Sequence, residues 1–200
     1  MRTAIVTGAT GGIGRAVVAA LVNADYEVFP IRHSRQGERG EIVICCHAAP
    51  VNSTFEDMLD VDIASTIDSV VPSLQLMSLV GFGRVVLFSS IRAHHPRPGQ
   101  VAYATAKAAI EGMTRALAVE YGCYGITVNC IAPGAVDTPR TRANIAAGLV
   151  SESELIERTP NGRLATVGDV CNTVLWLVSD GAAHVNGQVI TVDGGWSVRG

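Results

Sequence analysis

Lysine is almost missing from this sequence: of 15 Lys and Arg residues, only Lys107 is a lysine. Charge of either sign is also scarce, at 16% of residues with a net charge of −3, and the arginines are scattered. That excludes the basic face that nucleic-acid binding needs, so no nucleic-acid partner is expected. Five cysteines (Cys45, Cys46, Cys123, Cys130, Cys171) include no CxxC pair. Neither a disulfide framework nor a metal site is therefore expected, and reduced thiols in a cytoplasmic protein are the simplest account. Long apolar runs are missing too: His47, Pro72 or glycines interrupt them before the ~20 residues of a membrane span. The N-terminal residues run directly into a strand pattern, which predicts no signal peptide.

Apolar residues (48%) and glycine (21 residues) are abundant, as a single well-packed domain requires. Ala4-Ile5-Val6 reads as a buried strand, followed by a helical pattern to about Val22 with Ile13, Val17 and Leu21 on one face. Further strands are predicted at 27–31, 41–46, 84–88, 126–131 and 188–192. Pro30 places the second of them at or near a sheet edge, because proline cannot donate to a ladder. Helices are predicted from Ser53, with Glu56 completing a capping box, to about Leu79, over 103–121, as a short piece after Ser151, and over 168–178. The alternation describes an α/β domain with a doubly wound, mostly parallel, Rossmann-like sheet.

The lone lysine follows a tyrosine by four residues, in Tyr103-Ala-Thr-Ala-Lys107. On a helix this spacing puts phenol and ammonium on one face. A nearby ammonium favours phenolate and makes tyrosine a proton donor suited to neutral pH. Lysine suits such a position because its ammonium is compact, whereas arginine is a planar fork. Near the N-terminus, Gly8, Gly12 and Gly14 lie between the first strand and the first helix. There they let the backbone approach a pyrophosphate at the helix N-terminus.

With Thr7-Gly8-x-x-x-Gly12-x-Gly14 and Tyr103-x-x-x-Lys107, the chain resembles the short-chain dehydrogenase/reductase family over nearly its whole length. Ser90, thirteen residues before Tyr103, matches the family's substrate-orienting serine. Residues 129–138 look like the segment that seats the nicotinamide ring, and the stretch from Pro160 to Gly195 resembles 3-oxoacyl-acyl-carrier-protein reductases in particular. The resemblance implies ketone reduction. Tyr103 would donate a proton, Lys107 would tune it and hold the nicotinamide ribose, Ser90 would hold the carbonyl oxygen, and Asp62 would replace a supporting asparagine. Thr7, Gly8, Gly12, Ile13, Gly14, Ala48, Tyr103, Lys107, Pro133, Gly134, Val136 and Thr138 are the implied cofactor contacts. Arg32, with Arg35 close behind, favours NADP(H) over NAD(H), since arginine matches a 2′-phosphate. A small-molecule or acyl-thioester substrate and a homo-oligomer, tetramer or dimer, are also implied, and the lid at about 138–158 is the segment that selects substrates.

Three departures stand out. Residues 32–40 are too few for a strand with its flanking helices, which need roughly 30 residues or more. The third family strand is therefore expected to be absent, leaving six strands ordered 2-1-4-5-6-7 in the family's numbering. Ala49 stands where the family has a glycine, beside His47, which reads as structural. Asp62 can only accept hydrogen bonds when ionised, unlike asparagine. His94 and His95 read as solvated loop residues. The alternatives are a low-activity, cofactor-binding partner subunit of a mixed oligomer, or an isomerase or dehydratase reusing Tyr103.

Overall fold

A computed structural model describes residues 1–31, 39–51 and 53–199. Six strands, β1 (Thr3–Thr7), β2 (Glu27–Ile31), β3 (Ile42–Cys45), β4 (Gly83–Phe88), β5 (Ile126–Pro133) and β6 (Val189–Val192), form one sheet ordered β2-β1-β3-β4-β5-β6. All the pairings are parallel. This is the expected order with one family strand absent, and β2, carrying Pro30, is an edge.

The described residues form seven α-helices, α1 (Gly12–Asn23), α2 (Phe55–Met58), α3 (Ser65–Val80), α4 (Val101–Tyr121), α5 (Pro139–Ala146), α6 (Glu152–Glu157) and α7 (Val167–Val178), of which α1, α3, α4 and α7 pack on the sheet. Strand side chains alternate between faces, so the core is double. Ala4, Val6, Ile42, Ile44, Val86 and Phe88 meet α1 and α7 through Val17, Leu21, Val174 and Leu177. Ile5, Val43, Val85 and Leu87 meet α3 and α4 through Val70, Leu74, Met77 and Ile110.

One helix reading needs correction. The capping box uses Thr54 and Asp57 rather than Ser53 and Glu56. Both pairs have capping-box spacing; the later one starts the helix at Phe55 and buries Met58. Pro72 lies inside α3, within the helix predicted to run to about Leu79. The helical run Phe55–Val80 is long and apolar enough, by length and composition, to cross a membrane. In this fold it lays Val70, Leu74 and Met77 on the sheet. The sequence reading also missed α5, although Thr138 caps it and Pro139 opens it, a recognisable start signal.

Burial governs the thiols. Desolvation pushes Cys45 and Cys130 up to about 12 and Cys46 and Cys171 upward, because the thiolate loses its hydration. Only Cys123 is exposed. At pH 8 the native protein should therefore react rapidly with a thiol reagent at Cys123 and slowly at the other four, with all five reacting in denaturant. Rapid release of several equivalents from native protein would contradict this burial.

Candidate active site

The site is assembled at the C-terminal ends of the parallel strands, where this architecture opens a crevice. Tyr103 and Lys107 lie in the first two turns of α4. The Lys107 ammonium is 5.7 Å from the centre of the Tyr103 ring, as their i, i+4 spacing requires. Tyr103 packs against the cluster of Ala49, Met58 and Ala106, which the segment after β3, α2 and α4 supply.

Lys107 is buried, and its ammonium donates to Asp62 Oδ1 at 3.1 Å and to the Phe88 carbonyl at 3.3 Å. Asp62 sits in a π-helical segment, Leu59–Ala64, between α2 and α3. Such a bulge re-aims side chains within an otherwise regular helix, and here it turns a carboxylate inward. Asp62 Oδ2 is buried without a partner among the described residues. The Asp62 carbonyl accepts from Thr66 Oγ1 at 2.7 Å.

Ser89 and Ser90 follow β4 and serve different neighbours. Ser89 Oγ has two acceptors in reach of its single proton, the Lys107 carbonyl at 3.0 Å and Glu111 Oε1 at 2.8 Å. Ser90 instead caps a 3₁₀ turn, Ile91–Ala93, its Oγ accepting from the Arg92 amide. Glu111 is buried and also meets His94 Nε2 at 2.7 Å. His94 is thus more than the solvated loop residue the sequence suggested. His95 stands edge-on to Trp196, ring centres 5.6 Å apart.

The glycine turn divides its labour. Gly8 has φ +66°, and a Cβ there would fall 2.5 Å from the His47 amide nitrogen. A Cβ on Gly14 would fall 2.3 Å from the Gly8 carbonyl oxygen. These two allow close backbone packing. Gly12 is exposed, and a Cβ on it would come within 3.1 Å of Thr138 Cβ. The turn and the segment after β5 therefore face each other. No side chain caps the N-terminus of α1, so its amides point outward with the field that favours an anion. This cradle fits a dinucleotide's pyrophosphate.

Among the other expected cofactor residues, Thr7 is buried at the end of β1 and its hydroxyl lies 2.5 Å from His47 Nδ1. His47 Nε2 meets Thr66 Oγ1 at 3.0 Å, in keeping with a structural histidine. Ile13 lies in the first turn of α1, partly buried against the core, and Ala48 follows β3. Pro133 ends β5, the Gly134 amide donates to the Val192 carbonyl, and Val136 bridges to Ala165. Thr138 Oγ1 accepts from the Thr141 amide and caps α5. Arg32 and Arg35 lie outside the described residues.

Comparison with known proteins places this geometry in context. A family model for enoyl-(acyl carrier protein) reductase matches residues 47–197. The (2S)-[(R)-hydroxy(phenyl)methyl]succinyl-CoA dehydrogenase subunit BbsD of Thauera aromatica is 44% identical over 116 residues, 58% of this chain and 45% of that protein. In this and similar matches the chain spans about half the length of the curated relatives. The 3-oxoacyl-[acyl-carrier-protein] reductase FabG of Escherichia coli is 27% identical over 241 residues, taking in 97% of this chain and 96% of that one. An alignment of that length against 200 residues leaves dozens of the relative's residues unmatched. The solved structure "ElxO with NADP Bound" superposes with a TM-score of 0.88 at 23% identity, covering 98% of this chain and 99% of that one.

The buried pair can be tested by unfolding. Removing one partner leaves a lone buried charge, so Asp62→Leu and Lys107→Met should each destabilise by about 3–5 kcal/mol. The double variant Asp62→Leu/Lys107→Met should recover much of that loss. Strictly additive effects in urea unfolding would mean the two groups do not interact.

Proposed function

The chain belongs to the short-chain dehydrogenase/reductase family, and on that premise we propose that it reduces a ketone to a secondary alcohol with NADP(H). The substrate is a 3-oxoacyl thioester or a similar small carbonyl. The observation that carries this reading is Tyr103 set one helical turn from a buried lysine, with Ser90 at the end of the adjoining strand. Ser90 holds the carbonyl oxygen, and Tyr103 gives that oxygen its proton as the carbonyl carbon is reduced. The phenolate left behind is stabilised by the Lys107 ammonium. Preplaced donors of this kind favour the charge that develops on oxygen. A bound reduced nicotinamide supplies the hydride.

Residues Thr7, Gly8, Gly12, Ile13 and Gly14 hold the cofactor's pyrophosphate side in this reading. Ala48, Tyr103, Lys107, Pro133, Gly134, Val136 and Thr138 hold its nicotinamide side. Arg32 in the sequence supports NADP(H), as does a structural neighbour solved with NADP bound. Free thiols fit a cytoplasmic setting. Exposed apolar side chains on α3 (Ile67, Val71, Leu79) and α4 (Val101, Val119) support a homo-oligomer formed through these helices.

A second reading, a low-activity partner subunit, draws on one observation: the Lys107 ammonium is already held by Asp62 and Phe88. The relative BbsD is itself named as a subunit. Turnover separates the two readings. The purified chain should consume NADPH with acetoacetyl thioesters or simple ketones, and Tyr103→Phe should lose about 10²–10⁴-fold. NADPH binding without turnover across a broad ketone panel would instead favour the subunit. A charge on the helical face, Val119→Asp, should move the protein to a smaller species in sedimentation; an unchanged mass would place the contact elsewhere.

A further inference from the structure

The inward face of α4 carries a buried acid that the proposed reaction does not use. Glu111 lies one turn beyond Lys107 and is buried. Its two carboxylate oxygens reach two residues of one short segment. Oε1 is 2.8 Å from Ser89 Oγ, and Oε2 is 2.7 Å from His94 Nε2. Between those points the chain makes the turn that holds Ser90. The Arg92 amide donates to Ser90 Oγ, the Ala93 amide to the Ser90 carbonyl, and the His94 and His95 amides to the Ile91 carbonyl. The carboxylate therefore spans this turn, fastening its entry at Ser89 and its exit at His94.

The acceptors decide where the protons lie. An ionised carboxylate only accepts, so the proton of the His94 contact is on Nε2. Ser89 has one proton to give. The Lys107 carbonyl already has the Glu111 amide as its helical partner, and a carboxylate is the stronger acceptor. Glu111 thus sets the Ser89 rotamer as well as the His94 ring. Among the described residues no lysine or arginine forms an ion pair with Glu111, since the Lys107 ammonium is turned to Asp62 and Phe88. His94, whose side chain is mostly exposed, is the basic group that meets this acid. At Ser90 itself, Oγ accepts from the Arg92 amide, and its own proton has no acceptor among the described residues. That proton can be given to a carbonyl oxygen as long as the turn keeps its place.

We propose that Glu111 and His94 are positioning residues: their contact clamps the turn from Ser89 to His94 onto α4 and so aims the Ser90 hydroxyl at the carbonyl oxygen that Tyr103 protonates. This rests on the ketone-reduction reading, in which Ser90 holds that oxygen. Neither residue belongs to the glycine cradle, so the clamp governs the orientation of the carbonyl and leaves cofactor binding alone. A shift of about 1 Å in a positioning group can cost on the order of 10²-fold in rate.

The test uses His94, because its exposed side chain can be changed without opening the core. His94→Ala removes one arm of the clamp, whereas His94→Gln keeps an amide N–H at nearly the reach of Nε2. With the N-acetylcysteamine thioester of acetoacetate and NADPH, His94→Ala should lower kcat by about 10–100-fold. KM for the ketone and Kd for NADPH should stay within about threefold, the pattern of an interaction made in the transition state. His94→Gln should recover most of the loss. Glu111→Gln should also lower kcat, and adding His94→Ala to it should cost little more, since the two act as a unit. An unchanged kcat in His94→Ala, a matching fall in NADPH affinity, or equal losses in the Ala and Gln variants overturns the proposal. Amide hydrogen exchange over residues 90–95, read by mass spectrometry, makes the test independent of turnover. Exchange there should be about tenfold faster or more in His94→Ala and near the parent rate in His94→Gln. That pattern in a protein that reduces no ketone supports the clamp and refutes only the reductase reading. Exchange indifferent to His94→Ala overturns the clamp, with or without turnover.

Discussion

The buried ion pair between Lys107 and Asp62 is the constraint around which the site is arranged. Taking two charges out of water costs several kcal/mol per ion, offset only where geometry and further hydrogen bonds are good. That demand fixes three elements at once. Helix α4 must bring Lys107 against the sheet, β4 must end where the Phe88 carbonyl can accept from it, and the π-helical segment must turn Asp62 inward. The pair joins residues 45 positions apart in sequence, so the helix–sheet junction and the ammonium beside Tyr103 are fixed by the same contact. A lysine fits because one small ammonium can reach both acceptors; an arginine's planar fork would need a wider, differently shaped acceptor set.

A second polar layer supports the first. Lys107 and Glu111 are i and i+4, as are Tyr103 and Lys107, so one face of α4 carries three polar groups inward. Ser89 ties Glu111 to the Lys107 carbonyl, and His94 reaches Glu111 from the surface side. Because Ser89 is committed to α4, its neighbour Ser90, on the alternate side of an extended chain, is left to cap the following turn. Thr7, His47 and Thr66 form a similar chain behind the glycine turn, ending on the Asp62 carbonyl. Buried polar groups satisfied in this way rigidify a site.

Much of this was legible in the sequence, because local patterns report local physics. Short continuous apolar runs marked the buried strands, the shortness of residues 32–40 marked the missing strand, and i, i+4 spacing marked Tyr103 with Lys107. The π-helical turn was not legible. Its effect is to change which face one residue occupies, and Leu59-Asp60-Val61-Asp62 reads equally well as plain helix. The Thr54 cap was ambiguous for a related reason, since two adjacent Ser/Thr residues each have an acid three positions on. The stacking of Arg92 and Arg158 on Trp196 was hidden by distance, since the three come from separate segments that only the fold brings together. Glu111 left a signal that was passed over, an acid continuing the i, i+4 series of Tyr103 and Lys107.

The shortened cofactor half and the intact polar face occupy different parts of one sheet, which explains how the chain can keep one without the other. A strand lost beyond β2 removes an edge, and the strand then exposed carries Pro30, whose missing amide costs nothing where no neighbour needs it. Every group around Lys107 comes from the other side of β1: β4, the π-helical turn and α4. The Gly8–Gly14 turn depends on β1 and on the end of β3, through His47, rather than on the edge. In the proposed reading, loss of the edge strand acts on the adenine side of the dinucleotide. The contacts that orient Tyr103, Lys107 and Ser90 are made by elements the shortening does not touch.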